Sequence, residues 1–213
     1  MNYSIVAEQV CKQFKDNLAL DNVDLKVESG SICGLVGRNG SGKTVLMKCI
    51  CGLMPLTSGK IIVNGKTIGM DAEIPESVGV IIETPGFLTS FSAYSNLKFL
   101  ADISGKADKQ AIRAAIKSVG LDPDSKKHVG KYSLGMRQRL GLAQAIMEDP
   151  ELLILDEPMN GLDKNGVKDI RSLLLDLRAQ GKTILLASHF AQDIDELCDT
   201  VHEMDQGIIC QME

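Results

Sequence analysis

Eight consecutive residues constrain this chain more than any others. Gly37-Arg38-Asn39-Gly40-Ser41-Gly42-Lys43-Thr44 fits the pattern G-x-x-x-x-G-K-[ST] in full. A short apolar run over residues 31–36 precedes it. Residues 44–51 follow with the composition of a buried helix, closed by Gly52 with Pro55 beyond. Strand, glycine loop and helix in that order form the setting in which the pattern cradles phosphate. Without a Cβ, glycine lets successive backbone N–H groups curl around phosphate oxygens. The helix N-terminus adds its partial positive charge. Lys43 can then reach the β- and γ-phosphates, and the Thr44 hydroxyl can hold Mg2+. An accidental glycine turn is the bland alternative, and the flanking strand and helix weigh against it.

The rest of the pattern sets the fold class. Residues 3–6 and 21–27 show partial alternation, and Glu28-Ser29-Gly30 reads as a turn. Residues 61–63 and 66–68 flank Asn64-Gly65, a preferred hairpin dipeptide. From about 85 to 120 helical spacing takes over: Ile112, Ala115, Ile116 and Val119 recur at three- and four-residue steps until Gly120. Strand and helix alternate again after 150. Residues 152–155 predict a strand, and Val167, Ile170, Leu173, Leu174 and Leu177 form one helix face stopped by Gly181. Residues 183–187 predict a second buried strand. Such alternation argues for a largely parallel sheet covered on both faces, with the helical middle inserted into it.

Leu152-Leu153-Ile154-Leu155-Asp156-Glu157 ends an apolar strand in two adjacent acids. Buried carboxylates are costly unless they face a cation or water. Asp156 suits Mg2+, directly or through water, and Glu157 suits activation of an attacking water. Alone, the pair is equally compatible with a strand ending at the surface. Beside the glycine loop it becomes a phosphoryl-transfer site.

Composition excludes several other classes. The 213 residues carry 23 Lys plus Arg against 28 Asp plus Glu, a net charge of −5, without the basic excess that a grip on nucleic acid needs. Aromatics are 4% with no Trp, so few residues could stack on bases. Apolar stretches such as 152–155 and 183–187 are far short of the roughly 20 residues of a bilayer span. Met1-Asn2-Tyr3-Ser4 lacks the regions of a signal peptide. Six cysteines, with no CxxC pair, read as reduced core or surface thiols rather than zinc ligands or disulfides, which predicts a cytoplasmic protein.

Tyr132-Ser133-Leu134-Gly135-Met136-Arg137-Gln138-Arg139-Leu140, shortly before the acidic strand, resembles the signature motif of the ABC ATPases. The resemblance covers essentially the whole chain, with the family's motifs in order. Residues 37–44 match Walker A, residues 152–156 match Walker B, and Glu157 matches the catalytic glutamate. Asn160-Gly161-Leu162-Asp163 is similar to the D-loop, and His189 matches the switch histidine. Phe14 sits where the family places an adenine-stacking aromatic, with a core phenylalanine as the alternative. The family implies an α/β fold. Its core is a P-loop NTPase (RecA-like) unit with a mainly parallel sheet, an N-terminal antiparallel β subdomain and an inserted α-helical subdomain. The expected division is 1–84 with 148–213 for the nucleotide-binding core, and 85–147 for the helical subdomain carrying the signature. It further implies ATP and Mg2+ as ligands and a head-to-tail dimer with a second copy or a homologous ATPase subunit. In that dimer Ser133 and Gly135 of one subunit face the γ-phosphate held by the other. Ser133 is itself a good N-cap for a helix whose N-terminus attracts anions.

Glu83, in Val80-Ile81-Ile82-Glu83-Thr84-Pro85, stands where the family usually has glutamine. Its carboxylate remains an oxygen donor for Mg2+ or its water, but adds negative charge near the phosphates. This feature and the following Pro-Gly-Phe-Leu-Thr stretch resemble the branch that handles bacitracin and lantibiotic-type antimicrobial peptides. Lys164 also replaces a frequent proline after the D-loop. The sequence closes at Glu213 soon after the turn Asp205-Gln206-Gly207, which predicts little length for a regulatory domain. The leading expectation is the ATP-hydrolysing subunit of a transporter whose separate transmembrane permease docks on residues 85–103. A soluble ABC ATPase acting on ribosomes or DNA, and a nucleotide-binding regulator without turnover, are the competing classes. His128 and His202 are expected to be solvated, Lys126-Lys127 to lie in an exposed loop, and the nine methionines to fill the core.

Overall fold

The computed structural model describes residues 2–211. Met1, Met212 and Glu213, at the ends of the expected 1–84 and 148–213 unit, lie outside the described residues. Two long strands, β1 (Tyr3–Phe14) and β2 (Asn17–Glu28), open an antiparallel sheet that β4 (Ser58–Val63) and β5 (Lys66–Thr67) extend in the order β2-β1-β4-β5. Asn64-Gly65 makes the expected tight turn, with Val63 opposite Lys66. The register of β1 on β2 shifts between Ala7 and Val10 and again near Lys12. Each shift resets which face a side chain points to, so strict alternation is not legible along β1.

The second sheet holds β3 (Ile32–Val36), β6 (Val78–Ile81), β7 (Leu152–Asp156), β8 (Thr183–Ala187), β9 (Thr200–Asp205) and β10 (Ile208–Gln211) in the order β10-β9-β3-β8-β7-β6. Pairing is parallel from β9 through β6, and the edge hairpin β9–β10 is antiparallel. Helices α1 (Lys43–Ile50), α5 (Lys164–Ala179) and α6 (Ala191–Leu197) follow β3, β7 and β8. Helices α2 (Ala93–Ser104), α3 (Lys109–Ser118) and α4 (Leu134–Ile146) all fall between β6 and β7. Ser92, Asp108, Ser133 and Asp163 cap α2 to α5, each accepting a backbone N–H of the first turn.

Alternation along the parallel strands divides the core in two. Leu153, Leu155, Ile184 and Leu186 face a cluster built with α2 to α5. Leu152, Ile154, Leu185 and Ala187 point the other way, onto α1 and the antiparallel sheet. Full burial of each leucine or isoleucine among them contributes roughly 1.5–3 kcal/mol. Met47, Met147, Met159 and Met204 are buried as expected, whereas Met70 is 84% exposed. Cys33, Cys49 and Cys51 are buried, and burial pushes their thiols up to about 11, 11 and 12 respectively. Lys126, Lys127 and His128 are exposed.

His202 departs from the expectation that it is solvated. It is only 8% exposed, because β9 is an inner strand whose alternation turns His202 and Met204 inward and Glu203 outward. Burial holds its imidazole below the usual 6.5.

A buried ion cluster ties α5 to α6. Arg171 donates through Nε and Nη2 to Asp193 Oδ1 at 2.9 and 2.6 Å, and through Nη1 to Glu196 Oε2 at 2.7 Å. Ser188 Oγ donates to Asp193 Oδ2 at 2.8 Å, and Asp193 is 1% exposed. Replacing Arg171 by Met should therefore cost about 3–5 kcal/mol in denaturant unfolding, because it strands a buried carboxylate. A loss under about 1 kcal/mol would show that the cluster holds nothing together.

Candidate active site

The C-terminal ends of β3, β6, β7 and β8 open on one edge of the parallel sheet, where α/β folds place their ligands. A cleft of about 910 Å3 lies there, and Phe14, Lys43, Thr44, Glu83, Asp156 and Glu157 are among its lining residues.

β3 runs straight into the glycine loop. Gly37 and Gly42 adopt φ of 145° and 115°, and a Cβ would come 2.1 Å from the Met204 carbonyl oxygen and 2.8 Å from that of Ala19. Only glycine fits both positions. Lys43, 6% exposed, donates to the carbonyls of Gly37 and Arg38 at 2.7 and 3.0 Å. Among the described residues, Ser41 Oγ is a buried side-chain polar atom with no hydrogen-bond partner. A cradle of backbone amides with an unpaired hydroxyl and an inward ammonium fits a polyphosphate. Asn39 and Gly40 line its open side.

Thr44 Oγ1 donates to Asp156 Oδ2 at 2.7 Å, which ties the first turn of α1 to the end of β7. A hydroxyl and a carboxylate this close are hard oxygen donors of the type Mg2+ takes. Glu157 follows at a left-handed φ of 51°. Its N–H donates to Ala187 O at 3.0 Å, and its carbonyl accepts Gln138 Nε2 at 3.1 Å. Left-handed backbone at a glutamate costs of order 1–3 kcal/mol, and these two bonds hold it there. The side chain is thereby turned so that Oε2 lies 2.8 Å from His189 Nδ1, just beyond β8. A carboxylate bonded to an imidazole is an arrangement that can take a proton from water.

Glu83, at the end of β6, is also left-handed, with φ of 60°, and its Oε1 pairs with Lys48 Nζ at 2.7 Å. Phe14 is 41% exposed, with Lys12 Nζ 5.0 Å from its ring centroid, so it is not a core residue. Ser133 Oγ caps α4 by accepting the Met136 N–H at 3.2 Å. A Cβ on Gly135 would meet Gly161 O at 2.8 Å, so the start of α4 packs tightly on the loop before α5. Asp163 caps α5 by accepting the Gly166 N–H at 3.0 Å.

Ser133, Gly135 and Asp163 do not line the cleft, whereas Leu134, Arg137 and Gln138 do. Gln138, inside the signature-like stretch, has a definite task that the motif by itself does not specify, holding the Glu157 carbonyl. Gln206 and Gly207 also reach the cleft. Gly207 N–H donates to Ser41 O at 2.9 Å, and Gly207 O accepts the Asp21 N–H at 2.9 Å. In sequence that pair signals only a turn.

Residues 20–160 match the ABC transporter family model. The chain is 43% identical over 196 residues to the uncharacterized ABC transporter ATP-binding protein YybJ of Bacillus subtilis (strain 168), covering 92% of this chain and 90% of that protein. It is 42% identical over 209 residues to the bacitracin transport ATP-binding protein BcrA of Enterococcus faecalis, covering 97% of this chain and 68% of BcrA. The dimeric structure of MJ0796, a bacterial ABC transporter cassette, superposes with a TM-score of 0.88 over 98% of each chain. At 19% identity, that likeness is one of fold.

The glycine geometry carries a direct test. Gly42→Ala drives a Cβ against the Ala19 carbonyl and should weaken nucleotide binding at least about tenfold, some 1.4 kcal/mol, in equilibrium dialysis. Unchanged affinity would contradict the assignment of the loop.

Proposed function

The chain belongs to the ABC transporter family as an ATP-binding, ATP-hydrolysing subunit, and we propose that its C-terminal sheet edge is the catalytic site of MgATP + H2O → ADP + phosphate. The observation that carries this reading is the pair of contacts Thr44–Asp156 and Glu157–His189, side by side at the ends of β7 and β8. Residues 37–44 bind the phosphates, with Lys43 leaving the Gly37 and Arg38 carbonyls for phosphate oxygens, and Phe14 stacks on the base. Glu157 takes the proton of the attacking water, and His189 orients Glu157 and contacts the γ-phosphate. Thr44, Asp156 and Glu83 are the side chains that would hold Mg2+. When bound, the metal supplies positive charge to the phosphate oxygens. Among the described residues no three His, Cys, Asp or Glu side chains cluster as a metal site. Mg2+ held by one or two carboxylates would keep water and substrate phosphate oxygens as its other donors.

Ser133, Gly135 and Asp163 act across a dimer with a second copy or a homologous subunit. Their exclusion from this chain's own cleft supports that assignment, as does the dimeric state of the MJ0796 cassette. ATP then holds the dimer together, and hydrolysis releases it.

Residues 1–84 with 148–213 form the nucleotide-binding unit and 85–147 the helical unit that carries the signature. Leu88, Phe91, Phe99, Leu100 and Ile103, within 85–103, are exposed apolar side chains, and Phe91 and Phe99 stack edge to face at 5.1 Å. A cluster of this kind suits burial by a partner. We take that partner to be the permease, on the cytoplasmic face of the membrane, a reading supported by the relative named as a transport ATP-binding protein. The relative named for bacitracin transport supports an antimicrobial peptide as cargo.

Glu157→Gln should cut phosphate release by about 10²–10⁴-fold while MgATP binding persists and a dimer accumulates in light scattering. Undiminished turnover would remove Glu157 from the role of base. Ser133→Glu should abolish the ATP-dependent dimer and leave monomer binding intact. Equal loss of monomer binding would place Ser133 in its own subunit's site.

A further inference from the structure

The ion pair at Glu83 has a second partner in the chemistry. Thr44 and Lys48 are four residues apart on α1 and share one face of the helix. Thr44 reaches Asp156 at the end of β7, and Lys48 reaches Glu83 just beyond β6, the strand paired in parallel with β7. One turn of α1 thus presents a hydroxyl and an ammonium to carboxylates on two neighbouring strands. The left-handed backbone at Glu83 fixes where its side chain starts, and the half-buried stem of Lys48 limits where the ammonium can go.

We propose that Lys48 is a positioning residue that holds the Glu83 carboxylate as an internal counter-ion in competition with Mg2+, so that metal loading of the ATP site requires this pair to loosen. The proposal rests on the reading of Thr44, Asp156 and Glu83 as the magnesium side of the site. Glutamine at position 83 would offer an uncharged oxygen that an ammonium holds only weakly. Glutamate brings a full charge, and Lys48 neutralises it where Asp156 and Glu157 already crowd the end of the neighbouring strand β7 with negative charge. Side-chain exposure of 27% for Lys48 and 64% for Glu83 makes the pair modest in strength, worth about a two- to fivefold effect. A contact of that size can be displaced by a divalent cation, which suits a regulatory brake rather than a permanent tether.

The test is a double-mutant cycle in the Glu157→Gln background, where turnover is blocked. Mg2+ is titrated against fluorescence of bound N-methylanthraniloyl-ATP. Lys48→Met should lower the Mg2+ midpoint about threefold, and Lys48→Gln should do the same. Lys48→Arg, which keeps the charge, should leave it within a factor of about 1.5 of the parent. In a Glu83→Gln background, Lys48→Met should change nothing. No shift with Glu83 present overturns the proposal, and so does an equal shift in both backgrounds, which would be a general effect of removing a positive charge. Asp156→Asn separates the two levels of the argument. It should raise the Mg2+ midpoint more than tenfold, and failure to do so would sink the magnesium reading itself rather than the role of Lys48 alone.

Discussion

Helix α1 is clamped between two sheets, and the chemistry of the molecule depends on that clamp. Leu46, Met47, Cys49 and Ile50 are buried against the inner face of the antiparallel sheet and against β3, β7 and β8. With one side fixed by apolar contact, the helix N-terminus and its glycine loop have a single position relative to the parallel sheet. The Thr44–Asp156 hydrogen bond then registers the first turn against β7 to within a contact distance. A phosphate cradle needs that precision, because amide dipoles and an ammonium act on charge only where the oxygens will sit.

Parallel pairing supplies the second half of the site. Four neighbouring strands end at the same level, so the residues just past each end meet although they lie far apart in sequence. Glu83, Glu157 and His189 are delivered this way from β6, β7 and β8. Two of the three sit in left-handed backbone, a cost met by hydrogen bonds such as Gln138 to the Glu157 carbonyl. The helical segment between β6 and β7 therefore reaches the chemistry from outside. Its helix α4 holds the backbone just past β7 with one residue and packs Gly135 against Gly161 with another. Closure of a partner onto the start of α4 would be felt at Glu157 through a chain of direct contacts.

The same architecture anchors the two flanks of the cleft differently. The buried Arg171–Asp193–Ser188 cluster anchors α5 and the residue before His189 as one piece, while the Lys48–Glu83 pair on the other side of the cleft is half-exposed and weak. One flank of the site is thus held by a buried ion cluster and the other by a half-exposed pair. The half-exposed flank leads through Glu83 and Pro85 into the segment with exposed Phe91, Phe99 and Ile103.

Much of this was legible in the amino-acid order alone. The glycine loop, the acids ending residues 152–157, the hairpin at Asn64-Gly65 and the helix faces at 112–119 and 167–177 all declare themselves, because each is a local rule about backbone freedom or side-chain period. The family followed from the order of such local motifs. What stayed hidden depends on partners far away in the chain. His202 looked like a surface histidine until β9 proved to be an inner strand. Gln138 lies in the signature-like stretch and Gly207 in a turn, yet neither pattern tells their tasks, and Lys48 belongs to no motif; those tasks exist only because the fold sets them beside Glu157, Ser41 and Glu83. Sequence by itself determined the chemistry on offer, since residue type and spacing decide which groups can bind phosphate or move a proton. Tertiary structure alone decided which of those groups meet, because strand order and register, not proximity along the chain, set the distances over which charges and hydrogen bonds act.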